Sequence, residues 1–371
     1  MRILVTGANG FVGRNLCSEL NNRGYLDVIK YDKDTSPEVL DIACATADFI
    51  FHLAGVNRPE KNKEFFTGNV DFTLDLTRLL EHHKNFPSIL VSSSIQAELE
   101  NPYGLSKKRG EQVVFDYAKN HQVPVFVFRL ANLFGKWSRP NYNSVVATWC
   151  YNIARGLPVQ INDPEHRLSL VYIDDVVDAF ISAMEGHLKP SNHYFEASNV
   201  TDISLGKLAE LISSFYDQRN TRLLPDFSVP FVKNLYSTYL SYLPEDSFCY
   251  PLITHADHRG SFSEFIRTVS GGQVSINVSK PGISKGDHWH HTKVEKFLVV
   301  SGVAKIRFRN IYEDRIIEYT VSSEDFEVVD IPVGYTHEII NIGNSDLVTV
   351  MWANENFDPD NPDTYSLEVE V

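Results

Sequence analysis

Apolar positions in the first half of the chain fall into short runs at Ile3–Val5, Val28–Tyr31, Phe49–Leu53, Ile89–Ser92 and Val125–Arg129. The stretches between them are amphipathic with a period near 3.6, as at Leu74, Leu76, Leu79 and Leu80 in a segment ending near His83. Strand-helix alternation of this kind predicts an α/β fold with a doubly wound parallel sheet. From about Leu243 the period falls to two. The runs Val274–Val278, Phe297–Val300, Lys305–Phe308, Ile316–Val321 and Thr349–Trp352 are set between Gly, Asn, Asp and Pro turns. That pattern predicts an all-β antiparallel barrel or jelly roll. A length of 371 residues suits two domains, read as 1–243 and 244–371. Their junction, Leu235-Tyr-Ser-Thr-Tyr-Leu-Ser-Tyr-Leu-Pro244, is aromatic rather than Gly/Ser-rich and predicts a packed connection.

A net charge of -14 argues against nucleic acid or an anionic membrane as partner, while leaving room for a small anionic substrate held by local amides and a few basic side chains. The opening Met-Arg-Ile-Leu-Val-Thr-Gly runs straight into a strand and loop, without a charged leader or long apolar stretch. Cys17, Cys44, Cys150 and Cys249 form no CxxC and read as reduced thiols, so the expectation is a cytoplasmic protein.

Gly7, Gly10 and Gly13 follow the first strand and open a helix, which is the context a dinucleotide-binding turn requires. Amides near Asn9, Phe11 and Val12 would face a pyrophosphate at the helix N-terminus. Asp32 ends the second strand, where an acid binds a ribose diol and favours NADH, whereas Lys33 suits the 2′-phosphate of NADPH. Further on, Asn101 and Pro102 are an N-cap and first helical residue. They place Tyr103 and Lys107 one turn apart on one face, where an ammonium is expected to lower the phenol pKa. Val91-Ser-Ser-Ser94 offers a hydroxyl to the same carbonyl oxygen.

In the second half, His288 and His290 share one strand face. Glu295 has the opposite parity, so a turn near His291–Lys293 must precede it, and His337 arrives from another strand. Imidazoles with a carboxylate suit zinc or another divalent metal. His291, on the opposite strand face, should face solvent or stand behind the ligands, and Trp289 should pack, while His291, Lys296 and Tyr335 stand open as candidates for a general base.

The first half resembles an extended short-chain dehydrogenase/reductase, a Rossmann-like family, through Thr6-Gly-Ala-Asn-Gly-Phe-Val-Gly13, His52-Leu-Ala-Gly55, Asn69, the serine run and Tyr103-Gly-Leu-Ser-Lys107. The resemblance implies Ser94, Tyr103 and Lys107 as catalytic trio, with Ser93 as the alternative serine and Asn69 supporting a proton relay. It also implies Leu53, Ala54, Gly55, Tyr103 and Lys107 beside the cofactor. Arg129–Gly135 and Val171–Asp175 match segments that extended members place around a nucleotide sugar, although Asp174 and Asp175 read equally well as helix capping. The second half resembles a cupin: Gly282, His288, His290, Glu295 and Gly302 fit the first motif, and Pro332, Gly334, His337 and Asn341 the second, with Phe326 in place of a glycine. Asp257-His-Arg-Gly-Ser-Phe-Ser-Glu264 resembles the DxRGxFxE segment of nucleotide-sugar 3,5-epimerases and implies Arg259 as a substrate contact; a hairpin with a salt bridge is its plain structural reading.

Epimerising a sugar carbon without a redox cofactor needs an acidic C–H, hence a neighbouring ketone. Reducing that ketone ends the lability, so a fused metal barrel and reductase imply epimerisation first. The whole chain resembles the bifunctional enzymes of bacterial capsular polysaccharide synthesis, through His52–Pro59, Asn132–Trp137, Pro140–Ser144, the tyrosine-rich junction and His288–Lys293. The resemblance implies a UDP-2-acetamido-2,6-dideoxy-4-ketohexose substrate, epimerised at C3 in the cupin and reduced at C4 with NADPH. The product would be UDP-2-acetamido-2,6-dideoxy-L-talose, a precursor of N-acetyl-L-fucosamine. It also implies zinc, a homodimer, and substrate contacts at Asn57, Arg58, Asn132 and Lys136. Two other readings are a reductase whose cupin only binds or dimerises, and a nucleotide-sensing regulator, against which the intact Ser94–Tyr103–Lys107 set argues.

Overall fold

The computed structural model describes residues 1–189 and 194–370. They divide into two compact units, Met1–Ser213 with Pro230–Pro244, and Ser214–Val229 with Glu245–Val371.

In the first unit, β1 (Ile3–Thr6), β2 (Val28–Tyr31), β3 (Phe49–His52), β4 (Ser88–Ser94) and β5 (Val125–Leu130) form a parallel sheet of order β2-β1-β3-β4-β5. The helices are α1 (Phe11–Asn22), α2 (Pro37–Thr46), the single turn α3 (Lys63–Phe66), α4 (Phe72–His83), α5 (Pro102–His121), α6 (Val145–Ile153), α7 (Ile173–Met184), α8 (Leu205–Thr221), which is counted with the second unit from Ser214 onward, and α9 (Pro230–Leu240). Ile3, Leu4 and Val5 are fully buried, because helices cover both faces and an all-parallel strand needs apolar residues on each. One face packs on Leu16 and Leu20 of α1 and Val176, Val177 and Phe180 of α7. The other packs on Leu40 and Ala43 of α2, Leu76 and Leu80 of α4, and Val114 of α5. A small sheet of β6 (Asn132–Phe134), β7 (Arg167–Tyr172) and β8 (Thr201–Ser204) lies beyond. The aromatic junction is largely helical and packed: Leu235 and Tyr239 are buried in α9, and the Tyr242 hydroxyl donates to Ser138 O at 2.6 Å.

In the second unit, β9 (Leu223–Leu224), β10 (Thr254–Asp257), β11 (Gly260–Thr268), β12 (Gln273–Ser279), β13 (Ser284–Trp289), β14 (Glu295–Ser301), β15 (Val303–Asn310), β16 (Ile316–Ser322), β17 (Val328–Ile331), β18 (Tyr335–Asn341), β19 (Leu347–Ala353) and β20 (Tyr365–Ser366) form two sheets. One runs β10-β11-β12-β19-β14-β17, with β9 parallel to β11; the other runs β16-β15-β18-β13-β20. All pairs but β9–β11 are antiparallel, consistent with the expected cupin architecture. Residues 214–229 belong here, so a single cut at 243/244 does not describe the chain. Two local bonds bring the excursion in: Leu223 and Leu224 pair with Arg267 and Thr268, and Arg222 Nε donates to Glu264 Oε1 at 2.9 Å. Phe326, where the cupin pattern has glycine, holds φ 51°, so the left-handed turn survives without the residue that favours it. Among the described residues no helix is long and apolar enough to cross a membrane.

Candidate functional site

The strand order reverses between β1 and β3, and the loops that leave their carboxyl ends meet there, where open α/β sheets bind ligands. Gly7 has φ 68°, and a Cβ on it would lie 2.7 Å from Ala54 N; one on Gly13 would lie 2.2 Å from Gly7 O. The glycine loop and the Leu53–Gly55 turn are therefore in backbone contact. Gly10 caps α1 without a side-chain acceptor, so the first-turn N–H groups, including those of Phe11 and Val12, stay open to an anion. These features fit a dinucleotide pyrophosphate. Asp32 accepts from Asn9 N at 2.8 Å and from Lys33 N at 2.9 Å, which ties its carboxylate to both loops, while the Lys33 side chain is exposed.

Ser93 and Ser94 separate cleanly. Ser93 is buried and its hydroxyl donates to Glu111 Oε1, whereas Ser94 caps the short turn at Gln96 N and hydrogen-bonds with Tyr103. The serine that meets Tyr103 is thus Ser94. Asn101 caps α5 by accepting from Gly104 N at 2.8 Å, with Pro102 at its first position. The lowered Tyr103 pKa expected from Lys107 is not present. Burial pushes the phenol up, with the Ser94 hydrogen bond opposing it, and the Lys107 ammonium is turned to Ser92 O at 3.0 Å. Burial brings Lys107 itself down to about 8, with Glu111 opposing.

Asn69 sits in a π-turn, Thr67–Asp71, between α3 and α4. Its Oδ1 accepts from Val56 N at 2.8 Å, and its Nδ2 donates to Ser106 Oγ at 2.9 Å and Val56 O at 3.1 Å. A Cβ on Gly55 would lie 2.9 Å from Asn69 Oδ1 and 3.1 Å from Lys107 Nζ, so all three crowd one point.

Of the residues singled out for a nucleotide sugar, Asn57, Arg58 and Asn132 are exposed, and Lys136 Nζ pairs with Asp174 Oδ1 at 2.6 Å. Asp174 and Asp175 stand in the first turn of α7 but do not cap it, since its N-cap is Tyr172.

In the second unit, His288, His290, Glu295 and His337 bring one ligand atom each within 4.8 Å of one another. β13 carries His288, the turn foreseen at 291–293 separates His290 from Glu295 at the head of β14, and His337 lies on β18, where it pairs with His288. His290 Nδ1–H donates to Asp363 O, which leaves Nε2 bare and facing Glu295 Oε2 at 3.6 Å. His337 Nε2 faces the same oxygen at 3.5 Å, and neither of these buried Nε2 atoms has a hydrogen-bond partner. Converging, unpartnered imidazole nitrogens beside a carboxylate fit a divalent ion. Burial, with help from His337, brings His288 down to about 4, so it is neutral at pH 7.

The quartet opens onto a cavity of about 650 Å³, also lined by Arg222, Asp257, Arg259, Glu264, Lys285 and Lys293. The Asp257–Glu264 segment forms the β10–β11 hairpin, with Arg259 Nη2 on Asp257 Oδ2 at 2.8 Å, and it also lines the cavity. His291, Lys296 and Tyr335 are not in this lining. His291 is exposed beside Trp289 and Tyr365, and Lys296 pairs with Asp330 outside. The cavity lysines are Lys285, which donates to Asn277 Oδ1 at 2.8 Å, and Lys293, 3.3 Å from Glu295 Oε1.

Residues 3–197 match the NAD dependent epimerase/dehydratase family, and residues 255–365 match the Polysaccharide biosynthesis C-terminal domain. The chain belongs to the NAD dependent epimerase/dehydratase family. Its whole length is similar to the UDP-2-acetamido-2,6-beta-L-arabino-hexul-4-ose reductase of Pseudomonas aeruginosa, at 46% identity over 100% of this chain and 99% of that one. It is also similar to the crystal structure of the capsular polysaccharide assembling protein CapF from Staphylococcus aureus, with 52% identity, a TM-score of 0.94 and full coverage of both chains. A structure of CapF with the inhibitor 3-isopropenyl-tropolone matches at 47% identity and a TM-score of 0.89, again over both whole chains. The resemblance seen in the sequence is thus to CapF.

Proposed function

We propose that this epimerase/dehydratase-family chain converts a UDP-2-acetamido-2,6-dideoxy-4-ketohexose in two steps, inverting C3 in the second unit and reducing C4 in the first. The observation that carries the reading is the quartet of bare imidazoles and a carboxylate at the wall of a sugar-sized cavity, in one chain with a Ser94–Tyr103–Lys107 set.

His288, His290, Glu295 and His337 would hold zinc or another divalent metal, which supplies polarisation of the C4 carbonyl. A basic side chain of the cavity would remove the C3 proton, which the neighbouring ketone makes acidic, and a solvent-derived proton would be delivered to the opposite face of C3. Arg259, on the cavity wall, is the proposed contact to the anionic part of the substrate. In the first unit, Gly7, Asn9, Gly10, Phe11, Val12, Gly13, Asp32, Lys33, Leu53, Ala54 and Gly55 would hold a nicotinamide cofactor, which supplies hydride. Ser94 holds the C4 oxygen and Tyr103 donates its phenolic proton to it, while Lys107 anchors the cofactor side of the site. Asn69 keeps the Val56 turn and Ser106 in place around Lys107. Asn57, Arg58, Asn132 and Lys136 are the proposed sugar-nucleotide contacts. NADPH is preferred to NADH because Lys33 is exposed while Asp32 already accepts two backbone bonds.

The order follows from the chemistry: reducing C4 first would remove the ketone that makes C3–H acidic. The product is then UDP-2-acetamido-2,6-dideoxy-L-talose, and the likeness to CapF supports a place in capsular polysaccharide synthesis, in the cytoplasm and as a homodimer. A barrel serving only for binding or dimerisation would leave the orphaned nitrogens of His290 and His337 unexplained.

The test is turnover in deuterated water with NADPH, with the product read by NMR. The expected product carries deuterium at an inverted C3 and protium from the cofactor at C4. A product with protium and unchanged configuration at C3 would remove the epimerase half, and no cofactor oxidation would remove the reductase half.

A further inference from the structure

Residues 363–369 run as a strap along the outer side of the strands that carry the imidazole ligands. β20 pairs His288 with Ser366 and Trp289 with Tyr365. Leu367 N donates to Asp287 O at 2.9 Å, and the Thr336 hydroxyl, next to His337, donates to Leu367 O. Arg309 on β15 anchors the far end through Val369 O at 2.9 Å and Glu368 O at 2.7 Å.

The densest contacts are made by Asp363. Its carbonyl accepts His290 Nδ1–H and so fixes the tautomer that leaves Nε2 free for the quartet. Its carboxylate gathers the backbone N–H of His291 at 3.0 Å, Thr292 at 2.7 Å and Lys293 at 2.9 Å, together with the Thr292 hydroxyl at 3.1 Å. Those three amides belong to the turn between two quartet members, and His291 and Thr292 are otherwise exposed. By fixing the turn, Asp363 also places Lys293, whose Nζ lies 3.3 Å from Glu295 Oε1 and leaves Oε2 to face His290 and His337.

We infer that Asp363 is a positioning residue for the metal centre: its carboxylate pre-forms the His290–Glu295 turn, so that the ion does not have to order it on binding. The inference rests on the metal reading of the quartet. A residue that orients ligands from behind changes metal affinity by roughly 10- to 100-fold when removed, and that is the effect expected here.

The test compares the full-length wild type with Asp363→Ala and Asp363→Asn. Zinc affinity is measured by competition with a chelator of known affinity, and site geometry by the d–d absorption of the cobalt(II)-loaded protein. Circular dichroism and the melting temperature of the metal-free proteins report folding. Asp363→Ala should bind zinc roughly 10- to 100-fold more weakly, with an altered cobalt spectrum and a metal-free fold close to wild type. Asp363→Asn keeps one carbonyl oxygen for the turn, so it should fall between the two. It also serves as the measured variant if the alanine protein does not fold. Unchanged zinc affinity and cobalt spectrum in the substituted protein would overturn the proposal. So would a loss of affinity matched by collapse of the metal-free barrel with the cobalt spectrum intact. A wild type that binds no zinc would instead remove the quartet reading itself.

Discussion

Glu111 holds Arg129 by two parallel bonds, Nε to Oε1 at 3.0 Å and Nη2 to Oε2 at 2.7 Å, with only 2% and 9% of the two residues exposed. The Tyr194 ring covers the guanidinium 3.3 Å away, and the Ser93 hydroxyl completes the carboxylate. This buried pair is structural support beneath the strand end that presents Ser94 to Tyr103.

Removing one member of such a pair strands the other charge in the interior. Glu111→Ala is therefore expected to destabilise the first unit by about 3–5 kcal/mol, read from urea unfolding followed by fluorescence. Ser94→Ala removes a half-buried cap and the hydrogen bond with Tyr103 but strands no charge, so its stability loss should stay near ~1 kcal/mol while cofactor oxidation disappears. Equal stability losses in the two variants would contradict this division.

The serine register illustrates what the sequence could not reveal. Val91-Ser-Ser-Ser94 has one chemistry at three adjacent positions, and only the packing of Glu111 and Arg129 beneath the strand decides which hydroxyl turns inward. The Tyr103–Lys107 electrostatics failed for a related reason: helical spacing places two side chains on a face, but burial and the Ser92 carbonyl decide which way the ammonium points. Elements with a strong period were legible, including every strand foreseen in both units, because a face-wide pattern survives local detail. The metal quartet was legible because alternation along β13 and one forced turn tie three of its members together within a few residues. Asp363 was not, since its partners at 290–293 lie about seventy residues away and no local pattern marks a turn-capping acid at that range. The excursion of 214–229 escaped notice similarly: a two-residue strand carries almost no periodic signal.

Replacing His290 should strip the metal. Its Nε2 is bare and aimed at Glu295, so His290→Ala leaves a site with one fewer neutral nitrogen and is expected to be isolated with most of its zinc lost. His291→Ala, at the exposed neighbour, should retain zinc at the wild-type level. Elemental analysis of both purified proteins decides the matter, and equal zinc in the two would remove His290 from the ligand set.

Burial of Lys107 has a pH signature. The folded pKa of about 8 lies below the ordinary 10.5, so between these values the unfolded chain binds the extra proton. The ammonium therefore weakens the fold in full below about pH 8, and this cost is relieved as pH rises toward 10.5. A shift of this size corresponds to about 3 kcal/mol. Lys107→Met should accordingly be more stable than wild type at pH 7, with the gap narrowing steadily from pH 8 to 10. Parallel urea titrations of the two proteins across that range test it, and a gap that widens with pH would show that the lysine is not buried as a charge.

The last prediction separates the two units. Tyr103 lies in the first unit, and burial raises its pKa above the ordinary phenol value, so at neutral pH it is a phenol that donates a proton and not a phenolate that takes one. Tyr103→Phe keeps the ring, and with it the packing against Phe65 at 5.6 Å, while deleting the proton. Loss of general-acid assistance is expected to lower the reduction rate by roughly 10²–10⁴-fold. Exchange of solvent deuterium into C3 should continue at the wild-type rate, because the quartet and its cavity are built entirely from the second unit. The assay follows cofactor absorbance and sugar NMR in the same deuterated sample. If the folded variant loses exchange together with reduction, the two chemistries share one site and the assignment of inversion to the barrel is wrong.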